Sequence, residues 1–74
     1  MSALETVYIK LLNERSEVWV PVECVPQDGE IFLIPNDTKV PASETWQFLP
    51  GARIQCGVRE LTSNRKITVA YSLA

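Results

Sequence analysis

Val18-Trp19-Val20-Pro21-Val22-Glu23-Cys24-Val25 is the stretch whose reading decides the fold. Every second residue (Val18, Val20, Val22, Cys24) is β-branched or small and apolar, and Trp19, Pro21, Glu23 and Val25 lie between them. Successive side chains of a strand point to opposite faces, so a period of two predicts a strand with one buried face. Upstream, Thr6 to Leu12 repeats the pattern, with Val7, Ile9 and Leu11 on one face and Tyr8, Lys10 and Leu12 on the other. The polar stretch Asn13-Glu14-Arg15-Ser16-Glu17 between them reads as a turn, so the two runs form a hairpin. Pairing Leu12 with Trp19 sets Leu11 opposite Val20, Ile9 opposite Val22, Val7 opposite Cys24 and Lys10 opposite Pro21. All inward candidates then share one face, whereas a slip of one residue would bring Glu23 into the core.

Outward from this hairpin the pattern continues. Gln27-Asp28-Gly29 is a turn into a short strand, Glu30 to Ile34, which Pro35-Asn36-Asp37 breaks. Lys39 to Ser43 is a polar loop, and Pro41 to Gln47 has room for a single helical turn at most. Glu44 to Phe48 alternates Trp46 and Phe48, read as core, with Thr45 and Gln47. After the turn Pro50-Gly51, Arg53 to Leu61 places Ile54, Cys56 and Val58 inward and Arg53, Gln55, Gly57 and Arg59 outward. Gly57 within a strand marks a bulge or a sharp bend. A turn at Thr62-Ser63-Asn64-Arg65 leads to Lys66 to Ser72, with Ile67, Val69 and Tyr71 inward. A chain of 74 residues holds one domain. Several short strands with closely spaced turn signals, and too little material to fill a sandwich, predict an all-β fold. The expectation is a single small SH3-like barrel of five to six antiparallel strands, with an OB-like barrel as the alternative; closure removes exposed strand edges.

Met1-Ser2-Ala3-Leu4-Glu5 has no basic segment followed by an apolar one, so no secretion signal is expected. No apolar run approaches the roughly 20 residues that cross a bilayer. Cys24 and Cys56 are the only cysteines, read as buried free thiols in a reducing cytoplasm. The chain has no histidine, so it lacks the usual base near neutral pH and the commonest metal ligand. Two cysteines alone do not make a zinc site, and no phosphate loop, nucleophile elbow or paired-acid motif occurs. We therefore expect no cofactor, no metal and no enzymatic activity.

Val18-Trp19-Val20-Pro21-Val22-Glu23-Cys24, followed by Glu44-Thr45-Trp46-Gln47-Phe48-Leu49-Pro50-Gly51-Ala52-Arg53-Ile54-Gln55-Cys56, resembles a family of short bacterial proteins that read VWxPV early and WxFxPGxxVxC later. The resemblance runs from about Val7 to Leu61. Ile54 stands where the family usually has valine, and Ala52 where an acidic residue is typical. A bacterial, cytoplasmic small barrel is what the resemblance implies, and it brings no activity or ligand.

Two surfaces remain as candidates for binding. Tyr8, Leu12 and Trp19 share the outward face of the hairpin, where tryptophan and tyrosine suit a contact with a protein partner or a second copy of the chain. Charge offers a rival. Residues 1–50 carry three basic against eight acidic side chains, whereas 51–74 carry Arg53, Arg59, Arg65 and Lys66 against Glu60 alone. Those four form a candidate basic stripe for nucleic acid, although the net charge of −2 opposes phosphate binding. No aromatic is interleaved with them in the sequence, so no stacking platform is expected. The alternative is that these cations are balanced by acidic neighbours across the barrel. Protein binding is the first expectation.

Overall fold

A computed structural model of the chain describes residues 4–12, 14–62 and 64–74, and at 61 and 62 its backbone. The start of the chain, Asn13 of the first expected turn and Ser63 of the last lie outside the described residues. Five strands form among the described residues: β1 (Glu5–Lys10), β2 (Trp19–Pro26), β3 (Ile31–Leu33), β4 (Arg53–Thr62) and β5 (Arg65–Leu73). They close into one barrel in chain order, the small SH3-like barrel expected. All sheet neighbours except the closing pair are chain neighbours, which is a meander. An OB barrel is a Greek key, so that alternative does not apply.

The parity of the strand count has a consequence. Each of the four consecutive pairs is antiparallel. With five strands, β5 must then run in the same direction as β1. Their seam is accordingly parallel, with the single register pair Tyr8–Val69, and parallel pairing is slightly the weaker kind.

The first hairpin is offset from the expected register. Lys10 lies opposite Trp19, Tyr8 opposite Pro21, Ile9 opposite Val20 and Val7 opposite Val22, two residues away from the pairing of Leu12 with Trp19. Registers two residues apart bury the same faces, so alternation cannot choose between them. The end of β1 is pinned instead by backbone bonds. Leu11 N–H donates to Val18 C=O (2.9 Å), Leu12 N–H to Thr45 C=O (2.8 Å), and Lys10 C=O accepts from Gln47 N–H (2.9 Å).

That last contact defines a strap, residues 34–52, joining β3 to β4. The expected segment Glu44 to Phe48 makes one isolated bridge, Leu11–Trp46, rather than a strand. Trp46 and Phe48 nevertheless enter the core with Val7, Ile9, Val22, Ile34 and Ile54. The strap turns at Pro41 (Glu44 N–H to Pro41 C=O, 3.0 Å) and again before β4, where Gly51 N–H donates to Ile34 C=O (2.7 Å). Gly51 has φ +93°, and a Cβ there would sit 2.6 Å from Asn36 Oδ1, so only glycine fits.

β5 breaks the expected alternation. Gln55 pairs with Ser72 but Cys56 with Ala70, which leaves Tyr71 as an extra residue in a β-bulge. Tyr71, expected inside, is therefore 55% exposed, and Ala70 takes the core position. The bulge also separates Ile67 and Val69 from the main core. Both are buried, but they pair with Arg59 and Gly57 and so lie on the opposite face from Cys56 and Ala70. Val58 keeps its inward parity, yet β4 has by then run past the end of the core and Val58 is 70% exposed. Gly57 lies beneath Tyr71: a Cβ there would be 2.9 Å from Tyr71 Cε1, and the ring covers the bare backbone.

Candidate functional site

β3 has three residues, whereas β2 has eight and β4 ten. A short strand between two long ones leaves each long one uncovered past one end of it. Past one end lies a groove of about 470 Å³ between β2 and the strap, lined by Val20, Pro21, Val22, Glu23, Thr38, Lys39, Pro41, Glu44 and Trp46. Past the other, a pocket of about 130 Å³ lies against β4, bounded by Glu30, Phe32, Cys56, Val58 and Thr68 with Gly29 and Gly57.

The hydrogen bonding of β2 tells which backbone groups face the groove. In an antiparallel pair, residues alternate between bonding their partner strand and facing away from it. The Leu11–Val18 bond assigns Val18, Val20, Val22 and Cys24 to β1. Trp19, Pro21 and Glu23 therefore present their backbone groups to the other side. Pairing with β3 begins only at Val25, and none of these three has a further backbone bond among the described residues. Pro21 sits mid-strand because its missing N–H would face an open edge, the position where a strand tolerates proline. The sequence carried that signal: a proline inside an unmistakable strand marks an uncovered edge.

The outward face of the hairpin holds a second arrangement. Glu17 Oε1 accepts from Trp19 Nε1–H at 3.2 Å and from Arg59 Nη1–H at 2.6 Å. Arg59 Cζ lies 5.6 Å from the centre of the Trp19 ring, a cation–π distance. The guanidinium beside Glu17, by hydrogen bond and then by charge, holds that carboxyl below its usual range, with Lys10 adding to the effect. Trp19 is half-buried, and it is fixed by Glu17, 2 residues away, which in turn pairs with Arg59, 42 residues from Glu17. Tyr8 is half-buried and Leu12 is 56% exposed at the end of β1. Leu12 does not face Trp19 directly, as the expected register had it; Lys10 does.

Arg59, placed by sequence in the basic stripe, thus joins the tryptophan face, and an aromatic does stack with one of these cations. The remaining members are dispersed. Arg53, Arg65 and Lys66 are exposed; Lys66 lies directly opposite Glu60, and Arg53 is six residues from Arg59, about 20 Å along a strand. Two of the four cations therefore have an acidic neighbour.

Trp46 repeats the local geometry of Trp19. Its Nε1–H donates to Glu44 Oε1 at 2.9 Å, so each tryptophan bonds the carboxylate two residues before it. Unlike Trp19, Trp46 is buried and floors the groove.

Cys24 and Cys56 are free and fully buried. Burial, then the nearby Cys56 and Glu23, pushes the Cys24 thiol up to about 12, and burial with Glu30 raises Cys56 to about 11. Thiols held this far from ionisation are poor nucleophiles. Among the described residues, no three or more histidine, cysteine, aspartate or glutamate side chains are grouped to hold a metal ion. No helix among the described residues is long and apolar enough to cross a membrane. No protein-family model matches the chain, and neither a curated protein nor a solved structure matches it.

Proposed function

We propose that this protein is a non-enzymatic protein-interaction or accessory module of the bacterial cytoplasm. The observation that carries the reading is Trp19, a half-buried tryptophan fixed by Glu17 and Arg59 on the hairpin face, with Leu12 exposed past the end of β1. Tryptophan and arginine are the residues enriched where binding energy concentrates, and an anchor already held in place loses little freedom on docking. The test compares wild type with Trp19→Ala, both first shown to be folded by circular dichroism. Light scattering reads self-association, and immobilised protein reads capture of other proteins from a bacterial extract. At least one of these is expected in wild type and lost in Trp19→Ala. Association identical in both, or absent from both, overturns the reading.

Nucleic acid at Arg53, Arg59, Arg65 and Lys66 is the second reading, favoured by the stacking of Arg59 on Trp19. Glu17 and Glu60 weaken it by countering two of the four charges. It predicts salt-sensitive binding of single-stranded DNA, read by fluorescence anisotropy and diminished when Arg53 and Arg59 become alanine. No binding at low salt removes it.

A further inference from the structure

We propose that the groove along β2 takes an extended segment of another protein, added as a strand to the edge Trp19–Glu23, in which apolar residues alternate with lysine or arginine. This rests on the protein-interaction reading and adds to it the site and the chemistry of the partner.

Backbone groups come first. The edge offers two N–H donors, at Trp19 and Glu23, and three C=O acceptors, at Trp19, Pro21 and Glu23. Unpaired groups at regular spacing are what strand addition uses. The groove volume of about 470 Å³ suits a few residues of extended chain rather than a folded element.

Proline then excludes the simplest occupant, a second copy. Two antiparallel copies of this edge related by a two-fold axis at Pro21 would place Trp19 opposite Glu23 and Pro21 opposite its own image. The central bonded pair would have no donor on either side. Other two-fold registers run off the short edge, toward Val25 (already paired to β3) or out of β2 into the turn. Proline at an edge is a known barrier to self-pairing. A different chain, with its own N–H opposite Pro21 C=O, meets no such defect.

Side chains state the rest. Val20, Val22 and Trp46 give the groove an apolar wall and floor, a seat for apolar side chains on one face of the added strand. Its rim carries two carboxylates, Glu23 and Glu44, against one ammonium, Lys39. Glu23 accepts from Thr6 through Oε2, and Glu44 from Trp46 through Oε1. Each carboxylate thus has a second oxygen with no hydrogen-bond partner among the described residues, where a lysine or arginine on the other face of the added strand can bind.

The probe is the capped heptapeptide Val-Lys-Val-Lys-Val-Lys-Val, with its Val-Glu counterpart as control, titrated into isotope-labelled protein. The lysine peptide is expected to shift the Trp19 and Glu23 amides and slow their hydrogen exchange, and to bind about tenfold tighter than the glutamate peptide. Glu23→Pro removes an N–H that faces the groove together with one rim carboxylate and its exposed bond from Thr6, but no bond of the β1–β2 ladder, so the fold should survive and binding should be lost. Should that variant fail to fold, Glu23→Lys serves instead: it reverses the balance of the rim and should reverse the peptide preference. Absence of shifts at Trp19 and Glu23 up to millimolar peptide, or equal binding of both peptides, overturns the inference. So does a homodimer that Glu23→Pro abolishes. If the groove stays silent while partners captured by wild type are lost in Trp19→Ala, the interaction reading stands on the tryptophan face and only this inference fails.

Discussion

Replacing Gly57 by alanine should change the sign of its effect depending on whether Tyr71 is present. Glycine in a strand interior ordinarily costs about 0.5–1 kcal/mol relative to alanine, through the extra freedom of the unfolded chain. Gly57 does not have a positive φ, so its backbone presents no barrier to alanine. The obstacle is the Tyr71 ring, whose Cε1 would lie 2.9 Å from the new methyl. Overpacking costs roughly 1–3 kcal/mol, and the low end applies because the half-exposed ring can pivot into solvent. With about 1.5 kcal/mol lost and about 0.7 regained, Gly57→Ala should destabilise the protein by about 0.8 kcal/mol. In a Tyr71→Ala background the obstacle is gone and the same change should stabilise by about 0.7 kcal/mol. The coupling of about 1.5 kcal/mol is well above the roughly 0.3–0.5 within which independent sites add. Urea unfolding of the four proteins measures it, since a slope of about 1 kcal/mol/M turns the coupling into about 1.5 M of midpoint. Equal effects of Gly57→Ala in both backgrounds would refute the reasoning and place the need for glycine in the backbone.

Other perturbations test other parts of the structure. Gly51→Ala must hold a side chain at φ +93° against Asn36 and should cost on the order of 1–2 kcal/mol, read as a lower urea midpoint. The thiols of Cys24 and Cys56 are raised in the folded state, so the unfolded chain ionises first, near pH 9. Stability should be unaffected below that and fall as pH rises toward about 11–12; a Cys24→Ala, Cys56→Ala protein should show a flatter alkaline profile. Arg59→Ala should leave Trp19 more open to acrylamide quenching, measured with Trp46→Phe so that only Trp19 emits. Glu17 is shifted in the opposite direction to the thiols. Its pairing with Arg59 contributes above the usual glutamate range and is lost as pH falls through the lowered value, so Trp19 emission should change in acid in wild type but not in Arg59→Ala.

Some of this was legible in the sequence because it depends on a local rule. Alternation at Val7, Ile9 and Leu11 and at Val22 and Cys24 assigned those residues to the core, and Trp46 and Phe48 joined them by the same rule even though they form no strand. Closure followed from the number of short strands and the want of material for two sheets. Choices that leave the local pattern unchanged were open to tertiary structure alone. Sliding β1 by two residues keeps every face, so the strap bonds at Lys10 and Leu12 selected the register. One extra residue at Tyr71 turned Ile67 and Val69 to the other face, and nothing nearby in the chain marks that insertion.

Arg59 met Glu17 across 42 residues and so left the expected basic stripe for the tryptophan face. The groove is of the same kind: it exists because β3 is shorter than its neighbours, a relation among three strands that no single segment encodes. Only Pro21 carries a trace of it in the sequence, and that trace is read as an open edge once the neighbours of β2 are known. A local sequence pattern specifies which way a side chain points, whereas what it meets depends on strands brought together from a distance.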